Sequence, residues 1–162
     1  VVFLPYMSGE RSPIWNPKAK GVFFGLDFAK TRGHLVRAAL EGVAFSLRHN
    51  LETAENAGVH ADVLRAMGGA ANSRLWTQIK ADVTGKPVVV PASDTATTLG
   101  AAILAGVGVG VYAGFAEAVG LTVHPRRRHE PDAACREIYD KNYRLYRRLY
   151  EDLRGLMDES AG

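Results

Sequence analysis

Two short apolar runs, Val63 to Met67 and Lys86 to Pro91, each lead directly into residues with helical spacing, the first across the pair Gly68-Gly69. That succession of strand, turn and helix constrains the chain more than any other feature, because strands linked through helices become parallel neighbours with helices packed on them. Val88-Val89-Val90 sets three β-branched residues in a row, the mark of a strand buried on both faces. Ser73 is placed to cap a helix running to about Val83, and Gly85 to end it. The run Gly21 to Leu26, GVFFGL, adds an earlier strand, and a further helix is predicted to begin near Thr97 or Thr98. The class is α/β with a partly parallel sheet.

Residues 1–20 hold three prolines and the polar cluster Ser8-Gly9-Glu10-Arg11-Ser12, which reads as a short extended entry followed by an ordered loop. Thr31 is a candidate N-cap for a long helix. Leu35, Ala38, Ala39, Val43, Leu47 and Leu51 recur behind it at three- and four-residue spacing and are predicted to share one face, with Gly58 as terminator. A small helix around Phe115 to Val119 and a proline-marked loop lead to a long amphipathic helix from Asp132 onwards. Its predicted core stripe is Ile138, Leu145, Leu149, Leu153 and Leu156, flanked by Tyr139, Tyr143, Tyr146 and Tyr150.

With 162 residues, 47% of them hydrophobic, the chain can bury a core of its own. Its net charge of +3, from 20 basic and 17 acidic residues, is too small an excess to point to nucleic acid. Cys135 is the single cysteine, which excludes an intramolecular disulfide and suits a reducing, cytoplasmic setting. No apolar run approaches the roughly 18 residues of a membrane span. The opening Val1-Val2-Phe3-Leu4-Pro5 carries no secretory signal and reads like the inside of a larger protein.

The candidate chemistry lies in Met67-Gly68-Gly69-Ala70-Ala71-Asn72-Ser73, between a predicted strand and a predicted helix. Residues without bulk there let a ligand lie against backbone, and the next helix offers free N–H groups; the bland alternative is a plain glycine turn. Neither a phosphate-loop nor a dinucleotide glycine spacing is present. Thr98-Leu99-Gly100-Ala101-Ala102 reads either as close helix packing or as the other wall of a pocket. Glu10 and Arg11 could pair and brace a cleft, or form a surface ion pair worth little. His34 and Glu41, two turns apart on one helix, could form a catalytic pair, but capping for His34 and an inter-element hydrogen bond for Glu41 fit better. Asp27, Asp82 and Asp94 are expected to cap or stay solvated, with no partners at metal-ligand spacing. Arg126-Arg127-Arg128-His129 could touch phosphate or form a solvated face.

Gly21 to Glu41, GVFFGLDFAKTRGHLVRAALE, resembles the second signature of the FGGY carbohydrate kinases at Gly21, Phe23, Gly25, Leu26, His34-Leu35 and Ala38-Ala39-Leu40-Glu41. The loop Leu4 to Pro13 with Asn16-Pro17 resembles the stretch before that signature. Gly68 to Trp76 resembles the family's adenosine motif, and Thr98 to Ala105 the small-residue helix after it. The match weakens after about Gly110.

The resemblance implies an actin-like, ribonuclease-H-like domain, a mixed sheet with flanking helices, incomplete at its amino-terminal side and spanning residues 1–162 as the carboxy-terminal half of a two-domain enzyme. It implies ATP and Mg2+, the metal being held with the phosphates and the missing domain, and a sugar acceptor phosphorylated with the help of an aspartate from that domain. Carried over by position, Gly69 contacts the nucleotide through backbone with Gly68 and Ala70 beside it, and Asn72 or Ser73 hydrogen-bonds the adenosine. Ala70 stands where many relatives have a third glycine. The expected acceptor is a ketose, D-xylulose, with gluconate, ribulose, erythritol and glycerol behind it. The other expectations are the missing amino-terminal kinase domain as partner, a possible homodimer through an open sheet edge, no nucleic acid and no membrane. A different class of answer is a non-catalytic actin-like assembly module.

Overall fold

The structure, a computed structural model, describes residues 1–93 and 95–160. Asp94, expected to cap or stay solvated, lies outside the described residues. Strand β1 (Val2–Leu4) pairs antiparallel with β2 (Val22–Phe24), and α1 (Arg32–Asn56) follows. The second unit begins with β3 (Leu64–Arg65), a 3-10 turn over Gly69–Asn72 and α2 (Arg74–Thr84), then β4 (Val88–Pro91), α3 (Ala96–Gly108) and α4 (Phe115–Thr122). It closes with β5 (Pro125–His129), a 3-10 turn at Ala133–Cys135 and α5 (Arg136–Ser160). The sheet is mixed: β3 runs parallel to β4, and β5 antiparallel on the other side of β4. Among the described residues no helix is long and apolar enough to cross a membrane.

The local signals act as their chemistry requires. The Thr31 N–H donates to Nδ1 of His34 at 3.1 Å, so this histidine closes the first turn of α1. At the other end Gly58 takes φ +86°, and the Val59 N–H returns to the Ala54 carbonyl at 2.9 Å, which ends the helix in a Schellman turn. Gly85, at φ +67°, ends α2 in the same left-handed region. In β4, Val88, Val90 and Pro91 are buried and Val89 half-buried.

The helix faces differ from the predicted ones. The buried line of α1 is Ala38, Gly42, Phe45 and His49, whereas Val43 is exposed. Repeated four-residue steps from Ala39 to Leu51 drift about 40° each around a helix with 3.6 residues per turn, so those positions cannot stay on one face. Gly42 marks the true contact: a Cβ there would stand 2.4 Å from the Phe3 carbonyl oxygen of β1.

On α5 the buried residues are Tyr139, Tyr143, Tyr146, Leu149, Tyr150 and Met157, while Ile138, Leu145 and Leu156 are exposed. Tyrosines win the inner face because each finds a partner for its hydroxyl. Tyr146 bonds Tyr6, Tyr143 donates to Glu52 at 2.7 Å, Tyr139 accepts from Arg37 at 2.7 Å and Tyr150 accepts from Asn16 at 3.1 Å. Phe45 packs among the rings of Tyr139, Tyr143 and Tyr146, and the Arg48 guanidinium lies over Tyr143 while binding Asp140 at 2.6 Å.

The segment read as a proline-marked loop with a solvated arginine run is β5. Its register sets His129 opposite Val88, Arg128 opposite Val89 and Arg127 opposite Val90, as an edge strand. Proline and arginine are what protected sheet edges carry, and they hide the alternation that identifies a strand.

Candidate functional site

Gly68 leaves β3 at φ +81°, a conformation that costs a side-chain-bearing residue roughly 1–2 kcal/mol. Gly69 to Asn72 then make one 3-10 turn, with the Ala71 N–H bonded to the Gly68 carbonyl at 3.0 Å. Ala71 is buried and roots the turn, whereas Gly68, Gly69, Ala70, Asn72 and Ser73 are exposed. A Cβ built on Gly68 or Gly69 meets nothing within 4 Å, so the space outside both glycines is open.

Ser73 caps α2 by accepting the Trp76 N–H at 3.2 Å, which leaves its hydroxyl hydrogen for another acceptor. The Asn72 amide has no protein partner among the described residues. Trp76 donates through Nε1 to the Leu40 carbonyl of α1 at 3.1 Å, and Lys80 lies 4.3 Å over its ring. Burial holds the Lys80 ammonium below its usual pKa.

An apolar cavity of about 130 Å³ opens beside the turn, lined by Met67, Pro91, Ser93, Ala96, Leu99, Gly100, Ile103 and Val123. The structure thus brings the residue before the glycine pair against Leu99 and Gly100 of the small-residue helix, at the carboxyl ends of the parallel strands β3 and β4. This is where open α/β sheets accept ligands. Glycines with open space in front of them and an apolar slot nearby offer a ligand bare backbone and apolar surface to lie against.

Of the paired candidates, Glu10 and Arg11 depart from the ion-pair expectation, whereas His34 and Glu41 take the capping and inter-element roles that fitted them better. Glu10 and Arg11 do not pair through their side chains. Glu10 accepts the backbone N–H groups of Arg11 at 2.8 Å and Ser12 at 3.3 Å, and Arg11 lies 6.0 Å over the Trp15 ring. These residues, with Ser8, Gly9 and Pro17, line a separate cavity of about 360 Å³. His34 and Glu41 are no catalytic pair: His34 caps α1, and Glu41 binds Arg37 at 2.6 Å and the Tyr139 hydroxyl at 3.2 Å.

Asp27 caps a turn through the Ala29 N–H at 2.8 Å, and Lys30 beside it lowers its pKa. Asp82 is buried rather than solvated, joining Gln78 at 2.8 Å to the Asp132 N–H at 2.9 Å. Arg127, placed in the sequence with a solvated run, reaches under the 3-10 turn and donates to the Ala71 carbonyl. His129 from the same strand bonds Thr77 and Gln78, each at 3.0 Å.

The domain has the actin-like ATPase fold. The model of the FGGY family of carbohydrate kinases, C-terminal domain, matches residues 1–109, and the chain belongs to that family. It is 37% identical to the xylulose kinase of Escherichia coli (strain K12) over 158 residues, 97% of this chain and 32% of that protein. A glycerol kinase of Citrifermentans bemidjiense is 46% identical over 112 residues, 68% of this chain and 23% of that protein. The solved xylulose kinase from Rhodospirillum rubrum superposes with a TM-score of 0.84 at 37% identity, covering 97% of this chain and 31% of that one. The chain therefore spans about a third of the length of the first of these relatives.

Proposed function

We propose that this chain is the nucleotide-side domain of an ATP-dependent kinase that transfers the γ-phosphoryl group of ATP to a hydroxyl of D-xylulose. The observation that carries the nucleotide half is the Gly68-Gly69 turn, open in front of both glycines, with the preceding Met67 lining an apolar slot together with Leu99 and Gly100. Gly68, Gly69 and Ala70 offer backbone to the nucleotide, since the first N–H groups of a helical turn have no partner inside it. Asn72 and the hydroxyl hydrogen of Ser73 face the adenosine. Mg2+ is held by the ATP phosphates and by groups outside this chain, as are the sugar and the aspartate base. In-line phosphoryl transfer is chiefly positioning and charge neutralisation, and this domain supplies positioning.

D-xylulose is favoured as acceptor by extent of likeness rather than by percentage. The E. coli xylulose kinase aligns over 97% of the chain, whereas the more identical glycerol kinase aligns over 68%. A single cysteine and the sugar acceptor suit a cytoplasmic enzyme of xylose metabolism.

The test is ADP release by the complete polypeptide across D-xylulose, D-ribulose, gluconate, erythritol and glycerol, with Gly69→Leu beside the wild type. A preference for D-xylulose is expected, with KM for ATP raised about tenfold or more by G69L and thermal stability little changed. Preference for another acceptor replaces the sugar. Unchanged ATP binding in G69L removes the nucleotide site from this turn.

A further inference from the structure

The arginine run on β5 is not absorbed by the function above, and one of its members faces the site. Alternation along β5 puts Arg127 and His129 on the side of Val90 and Val88, towards α2, and Arg128 on the opposite side. His129 binds Thr77 and Gln78 in the first turns of α2, and Arg127 binds the Ala71 carbonyl within the preceding 3-10 turn. The inner face of β5 thus grips two successive parts of one unit, the turn and the helix it feeds. Two further ties, the Ser73 cap and the Trp76 bond to Leu40, fix α2 itself; the turn has its own backbone bonds and the buried Ala71, and Arg127 is the side chain that reaches its backbone from another element.

Arg127 is half-buried, its Nε is fully buried with no hydrogen-bond partner, and it forms no ion pair among the described residues. A guanidinium is rarely buried without a carboxylate. Here what it offers the fold is a donor fork under the turn and a positive charge behind its exposed backbone. This strand lies beyond the residues matched by the family model, which ends at 109.

We propose that Arg127 is a positioning residue for the nucleotide-binding turn: through the Ala71 carbonyl it holds Gly69–Asn72 in the shape that receives ATP. This rests on the reading of that turn as the nucleotide site. Arg127 binds the turn from behind, through the Ala71 carbonyl, so its loss is expected to act on ATP binding alone.

The experiment uses the complete polypeptide, with Arg127→Gln, Arg127→Lys and Arg127→Met, and Arg128→Gln as a control on the outer face of the same strand. Steady-state kinetics give KM for ATP and for the sugar separately, and amide hydrogen exchange reports residues 69–73 directly. R127Q and R127M are expected to raise KM for ATP five- to twentyfold, with kcat and the sugar KM within twofold of wild type, and to speed exchange in the turn at least tenfold. R127K, which keeps a donor and the charge, restores most of both effects, and R128Q changes neither.

Equal ATP KM and equal exchange in R127Q and wild type overturn the proposal, as does a loss shared evenly by both substrates. Should R127Q fail to fold, R127M keeps the aliphatic stem and decides the question against R127K. A wild type that binds no ATP defeats the nucleotide reading itself, while the exchange measurement still shows whether Arg127 holds the turn.

Discussion

Gly68 and Gly69 stand side by side yet answer to different constraints. The first is needed for its positive φ; at the second a Cβ would meet nothing within 4 Å, so the demand for glycine there comes only from the proposed nucleotide. Both were legible in the sequence, because glycine conformation and the Ser73 cap are local chemistry. Arg127 was not, since its bond to Ala71 closes over 56 residues. His49 likewise acts through its surroundings. It is buried on α1 with Nδ1 unpartnered, and burial first, then Arg147, pushes its pKa down from 6.5 to about 4, with Glu52 opposing. The unfolded chain takes up this proton near pH 6.5 while the folded protein refuses it until about pH 4. The unfolded state therefore holds more protons between those values, and stability is full above pH 6.5 and falls as pH drops towards 4. The loss is on the order of 2–3 kcal/mol. Urea unfolding at pH 7 and pH 4.5 should show it in the wild type and show a clearly smaller pH difference in His49→Gln. Parallel losses in both proteins would mean that His49 is not the group responsible.

At the scale of elements, strand, turn and helix order was readable wherever glycine, caps and β-branched runs punctuate the chain, as from β3 through β4. What escaped was which side of each helix is inside, and the existence of β5. Hydrophobicity ranks Leu156 and Ile138 above tyrosine for burial, yet the core of this domain has hydroxyl partners waiting at its margin, and tyrosine satisfies both demands. Tyr6 shows the depth of that burial, which pushes its phenol up to about 12. Tyr146→Phe strands the Tyr6 hydroxyl and should cost about 1–2 kcal/mol. Tyr6→Phe with Tyr146→Phe should recover part of that loss, since two missing hydroxyls leave nothing unpaired. Leu156→Ala, at a position 61% exposed, should stay within about 0.5 kcal/mol. Chemical denaturation of the three variants beside the wild type checks this, and a larger loss for L156A than for Y146F would restore the leucine stripe as the packing face.

At the scale of the whole molecule, the proposed function gives the chain one wall of a reaction cleft. The described strands fall into two sheets, β1-β2 and β3-β4-β5, with β3 paired only to β4 and a groove of about 300 Å³ beside it lined by Leu47, Leu64, Met67 and Lys80. Phe24, Leu26 and Phe28 stand exposed on and after β2. Open strand edges and bare aromatic rings both favour association, so the 162-residue chain by itself should self-associate as its concentration rises. Phosphoryl transfer is a stricter demand. It needs the acceptor hydroxyl, a base and the γ-phosphate in line within a closed cleft, and binding one reactant against one wall provides none of that alignment. The chain alone should therefore bind ATP without phosphorylating D-xylulose, even with Mg2+ in excess. Equilibrium binding of a labelled ATP analogue, run beside an ADP-release assay on the same preparation, separates the two. Binding with no sugar-dependent ADP release is the expected result; sugar-dependent turnover would place the base and the acceptor site inside these 162 residues and overturn the division of labour proposed for the two halves.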